Sequence, residues 1–164
     1  MNEGSTVRLT GSIADPGSRD TVMQLWHVDA SNGQVIADGV SPNFSFTPND
    51  NGVFTVSFTA TDDDGATSRD EAVITVNNAA PTLTLSPGST FETSQSVIVS
   101  GPLTDPGKDG WHVFVEFGDG ALEAVSVRPD LSFVATHIYS QPGIFTPVVT
   151  VIDDDLGKAT GQQL

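Results

Sequence analysis

From Phe54 to Thr61 the chain alternates strictly, with Phe54, Val56, Phe58 and Ala60 on one side and Thr55, Ser57, Thr59 and Thr61 on the other. A repeat of two sends successive side chains to opposite faces of a strand, so one face meets a core and the other meets water. Shorter runs of the same kind cover Val7 to Ala14, Val22 to Val28, Ala72 to Val76, Val97 to Thr104 and Val113 to Phe117. Each is bounded by clusters of Asp, Pro, Gly and Asn, the residues that turns require. No stretch offers ten to twelve residues of helical period with caps. Many short strands separated by turns predict an all-β protein built of antiparallel sandwiches.

The pattern also repeats on a larger scale. VRLTGSIADPG at Val7 to Gly17 returns as VIVSGPLTDPG at Val97 to Gly107, and NGVFTVSFTATDDDG at Asn51 to Gly65 returns as PGIFTPVVTVIDDDLG at Pro142 to Gly157. The offsets, 90 and 91 residues, predict two homologous domains in tandem, 1–78 and 79–164, joined at the NNAAP segment, Asn77 to Pro81. A strand-like stretch at Pro81 to Ser86 has no counterpart before Met1, and Leu164 falls opposite Val73, so the first domain is expected to lack its initial strand and the second its final residues. WHV occurs twice, but at an offset that does not match the repeat; the 91-residue offset instead places Trp26 opposite Phe117. Pro147 replaces the apolar Val56 in an expected central strand, where a missing N–H predicts a bulge.

Composition narrows the function. Six basic residues against 21 acidic ones give a formal charge of −15, which excludes a basic nucleic-acid grip or a polybasic membrane anchor. The chain has no run of about 18 apolar residues, so no membrane insertion is expected. Without cysteine there are no disulfides, no thiolate metal sites and no cysteine nucleophile. Charged residues make up 16% and lysine is scarce, a chemistry that points to an extracellular or cell-surface protein. Repulsion between acidic copies predicts a monomer at neutral pH.

VEFGDG at Val115 to Gly120, followed by HIYSQPGIFTPVVTVIDDD at His137 to Asp155, resembles the polycystic kidney disease (PKD) domain, with its W-D-F-G-D-G-like strand end and H-x-Y-x-x-P-G-x-Y-x-V strand start. The first repeat is similar but less close: Trp26 keeps the aromatic, HVDASNG replaces the F-G-D-G part, and Phe46 stands where His137 does. The resemblance implies two tandem immunoglobulin-like (PKD-type) β-sandwiches with a non-catalytic role, as spacers or adhesive units of larger extracellular bacterial proteins. Their expected partners are neighbouring repeats of the same chain, proteins or polysaccharides. An alternative is a glycan- or polymer-binding accessory module of a secreted carbohydrate-active or proteolytic enzyme.

Catalysis finds little support in the residues. His137 and Ser140 come with no G-x-S-x-G or H-E-x-x-H, His27 and His112 lack ligand spacing, and Gly118-Asp119-Gly120 reads as a hairpin turn. Trp111, in a polar stretch, is either an exposed platform for a sugar ring or is partly covered by the neighbouring domain. The acidic triplets at Asp62 to Asp64 and Asp153 to Asp155 suit hairpin turns, yet a turn explains one Asp rather than three. Solvated turns are one reading. Calcium is the other, because strand parity in a seven-stranded sandwich gathers Asp105, Asp109, Asp153 and Asp154 beside Asn78, and in the first domain Asp15, Asp20, Asp62 and Asp63 near Asn2 as a weaker set.

Overall fold

The computed structural model describes residues 1–15, 17, 21–88 and 94–163. The protein is all-β, with no helix among the described residues, and it divides into two compact units, Met1–Asn78 and Ala79–Leu164.

Unit 1 holds five strands: β1 (Val7–Thr10), β2 (Val22–Ala30), β3 (Asn43–Phe46), β4 (Gly52–Asp62) and β5 (Thr67–Val76). One sheet pairs β1 with β3, the other runs β2-β4-β5, and all pairs are antiparallel. The alternation read in β4 turns Phe54 and Val56 into the interior, where Val7, Trp26, Val28, Phe46 and Val76 meet them. Trp26 is the pivot of this core. Its ring stacks on Phe44 at 5.6 Å and tilts against Phe58 at 4.4 Å, and its indole N–H donates to the Ser41 carbonyl at 2.9 Å, which removes the cost of burying that donor. β5 begins five residues before the sequence pattern suggests, because Thr67–Glu71 pair fully with β4 yet lie exposed at the sheet edge, where no alternation is imposed.

Unit 2 holds β6 (Thr82–Leu83), β7 (Ser96–Thr104), β8 (Trp111–Glu116), β9 (Leu122–Val125), β10 (Ser132–Ile138), β11 (Val148–Asp153) and β12 (Lys158–Gln162). The sheets run β10-β7-β6 and β12-β11-β8-β9. Between them lie Val97, Val99, Leu103, Val113, Val115, Phe117, Phe133, Ala135, Val149 and Val151, each at most 3% exposed, so β7, β8 with the residue after it, β10 and β11 together build one apolar layer, at whose end the inward Asp153 is also buried. Pro147 lies just outside β11, which starts at Val148, so the strand is shortened instead of bulged. Trp111 opens β8 and packs at the edge of the core, so it belongs to a strand and not to a loop.

The strand registers revise one equivalence drawn from the sequence. Trp26 faces Phe58, whose match at the 91-residue offset, Val149, faces Val115. Trp26 therefore corresponds to Val115, and Val28 to Phe117, with a local offset of 89. The face is preserved because the slip is two residues, one full pleat. Trp26 and Phe117 are both buried, at 6% and 1%, but at different places along the strand.

Two outcomes follow from this packing. Trp26→Ala removes the pivot of unit 1 and is expected to destabilise it by about 3 to 5 kcal/mol, read from a urea melt followed by circular dichroism. Gly101→Ala places a Cβ against the Thr84 carbonyl, backbone against backbone, and is expected to detach β6 and lower the unit 2 melting temperature.

Candidate functional site

The acidic residues singled out by the sequence gather mostly at turns, where each has a definite hydrogen bond. Asp15 Oδ1 accepts the Gly17 N–H at 2.6 Å, and Asp105 Oδ1 accepts that of Gly107 at 2.9 Å, which closes the D-P-G turn at Asp105. At the two acidic triplets the first Asp closes the hairpin: Asp62 accepts from Ala66 at 2.7 Å, and Asp153, 1% exposed, from Gly157 at 2.6 Å. The second Asp reaches across to the loop that leads into the neighbouring strand. Asp63 accepts the Thr21 N–H at 3.0 Å and Asp154 the Gly110 N–H at 2.8 Å. Two of the three acids in each triplet thus act as turn closures and loop ties, a role that turn propensity alone does not reveal.

Asp109, Asp154 and Asp155 bring carboxylate oxygens within 4.8 Å of one another; Asp105 and Asp153 do not join them among the described residues. Asn78 belongs to unit 1, and Asp20 lies outside the described residues.

The left-handed position of the two hairpins differs. Gly65 takes φ +88° in the first, as the sequence leads one to expect, but in the second it is Leu156, at +71°, and not Gly157. A leucine there carries steric cost, and its side chain is exposed, so nothing is gained in return. Leu156→Gly is expected to stabilise unit 2 by about 1 kcal/mol in a denaturant melt.

A second cluster sits where β8 and β10 end. The turn after β8 lifts Asp119 so that its Oδ2 lies 2.7 Å from His137 Nε2, while its Oδ1 accepts the Ala121 N–H at 3.0 Å. The His137 ring stacks on Phe117 at 4.4 Å and meets the Tyr139 ring edge-on at 4.8 Å; Tyr139 stacks on Phe145 at 4.1 Å. The Tyr139 hydroxyl donates to the Phe117 carbonyl at 2.8 Å, which closes the ladder on itself. The hydrogen bond from His137, followed by that from Ala121, holds the Asp119 carboxyl below the usual carboxylate range. Burial, with the Asp119 charge as a lesser cause, pushes the Tyr139 phenol up. The ladder carries an acid and an imidazole but no nucleophile; its hydrogen bonds join a turn to a strand.

In unit 1, His27 projects from β2 with Nδ1 2.7 Å from Asp38 and Nε2 3.5 Å from Asp29. The Asp38 hydrogen bond raises its pKa above the ordinary histidine value, against a smaller opposing effect of desolvation. His112 lies exposed on β8, as a strand-face residue. The Asp119–His137 pair escaped the sequence reading because Gly-Asp-Gly looks sufficient as a turn. The signal was available in the shared motif itself, which holds an Asp in the turn and a His; the structure places that His next to the last residue of β10 and not at the start of a strand.

A family model described as PKD domain matches residues 78–163, more than half of the chain. The chain belongs to the PKD domain family. The PKD match takes in the Asp119–His137–Tyr139 ladder and the turn closed by Asp153. No curated protein matches the chain. Among solved structures, the Bacteroides ovatus mixed-linkage glucan utilization locus protein SGBP-B, in complex with a mixed-linkage heptasaccharide, aligns over 99% of this chain at 11% identity with a TM-score of 0.35. The chain spans 41% of that protein's length.

The depressed acid sets a pH dependence. A carboxyl whose folded pKa lies below its unfolded value of about 3.9 adds stability that is complete above that pH and is lost as pH falls through the folded value. Asp119→Asn is therefore expected to melt below the parent at pH 5 to 7, with the gap closing as acid takes both below about pH 3.9. A gap that stays constant into acid would show that Asp119 acts through shape and not through charge.

Proposed function

We propose that the chain is a pair of tandem PKD domains that serves as a non-catalytic spacer and interaction module of a larger extracellular bacterial protein. The observation that carries this reading is the equivalence of internal pairing in the two units. Val7 faces Phe46 as Val97 faces His137, and Phe58 faces Asp70 as Val149 faces Gly161, so the sequence repeat coincides with a repeat of strand register. The matched turn closures of Asp15 and Asp105, Asp62 and Asp153, and Asp63 and Asp154 support it further. Titratable groups with displaced pKa values stand on turns and strand faces, tied to neighbours in the fold. A spacer needs such ties, since its work is to keep its shape.

The competing role is that of a glycan-binding accessory module. Trp111, the aromatic best placed in the sequence for a sugar platform, packs instead at the edge of the unit 2 core. Co-sedimentation with insoluble cellulose and chitin, together with affinity electrophoresis in mixed-linkage glucan, is expected to leave the chain in the supernatant and its mobility unchanged. Retention that is abolished by Trp111→Ala would replace the spacer reading with the glycan-binding one.

A further inference from the structure

Residues 38–41 of unit 1 lie along the edge of β2 that faces away from β4, and each of the four is tied to that strand. Gly39 exchanges backbone hydrogen bonds with Trp26, the Trp26 N–H donating at 2.7 Å and the Gly39 N–H donating back at 3.1 Å. The Val40 carbonyl accepts from the Gln24 side-chain amide at 3.0 Å, and the Ser41 carbonyl from the Trp26 indole at 2.9 Å. Asp38 is the charged member of the series. Its Oδ1 lies 2.7 Å from His27 Nδ1. A Cβ on Gly39 would meet the Phe44 ring at 2.5 Å, so the segment sits tight against the ring that stacks on Trp26.

Unit 2 has a regular strand in this place, since β9 pairs with β8 at four positions, Val113 to Glu116 against Val125 to Leu122. The local offset of 89 that sets Trp26 on Val115 also sets His27 on Glu116, and the pairing sets Gly39 on Glu123 and Asp38 on Leu122. Among the described residues, unit 1 therefore holds one backbone bridge where unit 2 has a ladder, and an imidazole opposite a carboxylate where unit 2 sets a carboxylate opposite leucine. His27 stands on the outer face of the sheet, between the buried Trp26 and Val28. A second acid lies on the other side of its ring: Asp29, on the same strand, places Oδ1 3.5 Å from Nε2. Across that face β4 offers Ser57, and β5 offers Glu71, which is paired with Arg69. Carboxylates at both ring nitrogens suit the protonated imidazole, in which both nitrogens are donors.

We propose that residues 38–41 form a strap held on β2 by a pH-sensitive clasp, in which protonated His27 joins Asp38 to Asp29, and that deprotonation of His27 frees the strap to lift from the β2 edge. The bonds of Gly39, Val40 and Ser41 involve no titrating group, so the clasp is the part of the strap that responds to pH. The hydrogen bond to Asp38 raises the His27 pKa above its ordinary value, against a smaller effect of desolvation, and the charges of Asp38 and Asp29 act in the same direction as the bond. A group raised on folding contributes stability that is complete below its unfolded value, about 6.5 for histidine, and is lost as pH rises through the folded value. The strap is thus fastened below about pH 6.5 and loosens as pH climbs past the His27 titration. Lifting removes the acceptor of the Trp26 indole and uncovers the backbone groups that Gly39 pairs with. Unit 2, with Glu116 in place of His27, has no counterpart.

The test uses the whole chain, ¹⁵N-labelled. Hydrogen exchange of the Trp26 and Gly39 amides, corrected for the intrinsic rate at each pH, is followed from about pH 6 to about pH 8.5 together with the ring shifts of His27. Protection of both amides is expected to fall about two- to fivefold, the effect of one partly exposed ion pair, with a midpoint that coincides with the His27 titration and lies above about 6.5. Amides of β8 and β9 are the internal reference and are expected to stay level. His27→Gln and Asp38→Asn, both at exposed positions outside the core, are each expected to flatten the profile, and Asp38→Asn to lower the His27 midpoint as well. A level profile in the parent, a His27 midpoint at or below about 6.5, or a profile that persists in His27→Gln would overturn the proposal. An equal loss of protection in β8 and β9 would also overturn it, since the whole chain and not the strap would then be loosening.

Discussion

Each unit depends on apolar contact between its two sheets, since no disulfide crosses the layers in a chain without cysteine. In unit 2 this contact is a continuous layer of valines, Phe117 and Phe133, closed at one side by Leu83 and Leu85. In unit 1 the load falls on fewer and larger rings, with Trp26 held between Phe44 and Phe58. The different means reach the same end. Aromatic area in unit 1 covers what β-branched residues share in unit 2.

The polar residues act on the ends of the strands. An apolar interlayer resists separation of the sheets but does little to fix where each strand stops, since hydrophobic contact has no direction. Hydrogen bonds have direction, and the aspartates supply them: one closes a turn, the next ties a loop, and Asp119 holds His137 beside Phe117. Acid concentrated at turns thereby serves geometry as well as solubility. A spacer benefits from this division of labour, because its shape is set by turns that stay closed.

PKD membership and the spacer reading fit together through these features. The motif residues that mark the family, Asp119, His137 and Tyr139, form a ladder whose bonds end within the fold, on Ala121 and on the Phe117 carbonyl.

Much of the architecture was legible in the residues alone, because local chemistry decides it. Alternation in β4 and β7 dictates which side chains enter the core, turn residues dictate where strands end, and the recurrence of VRLTGSIADPG and its partner string reveals the repeat. What escaped were pairings between residues far apart in the chain. The hydrogen bonds of Asp154 to Gly110 and Asp119 to His137 bridge segments that no local pattern connects. The two-residue slip of Trp26 onto Val115 is invisible to a count of offsets, because it is settled by which residue of β4 or β11 each one faces. The length of β5 depends on its pairing with β4. Sequence by itself determined the faces of the strands, since a period of two is a property of the backbone. Only the tertiary structure decided register, edges and cross-loop bonds, since these are properties of pairs.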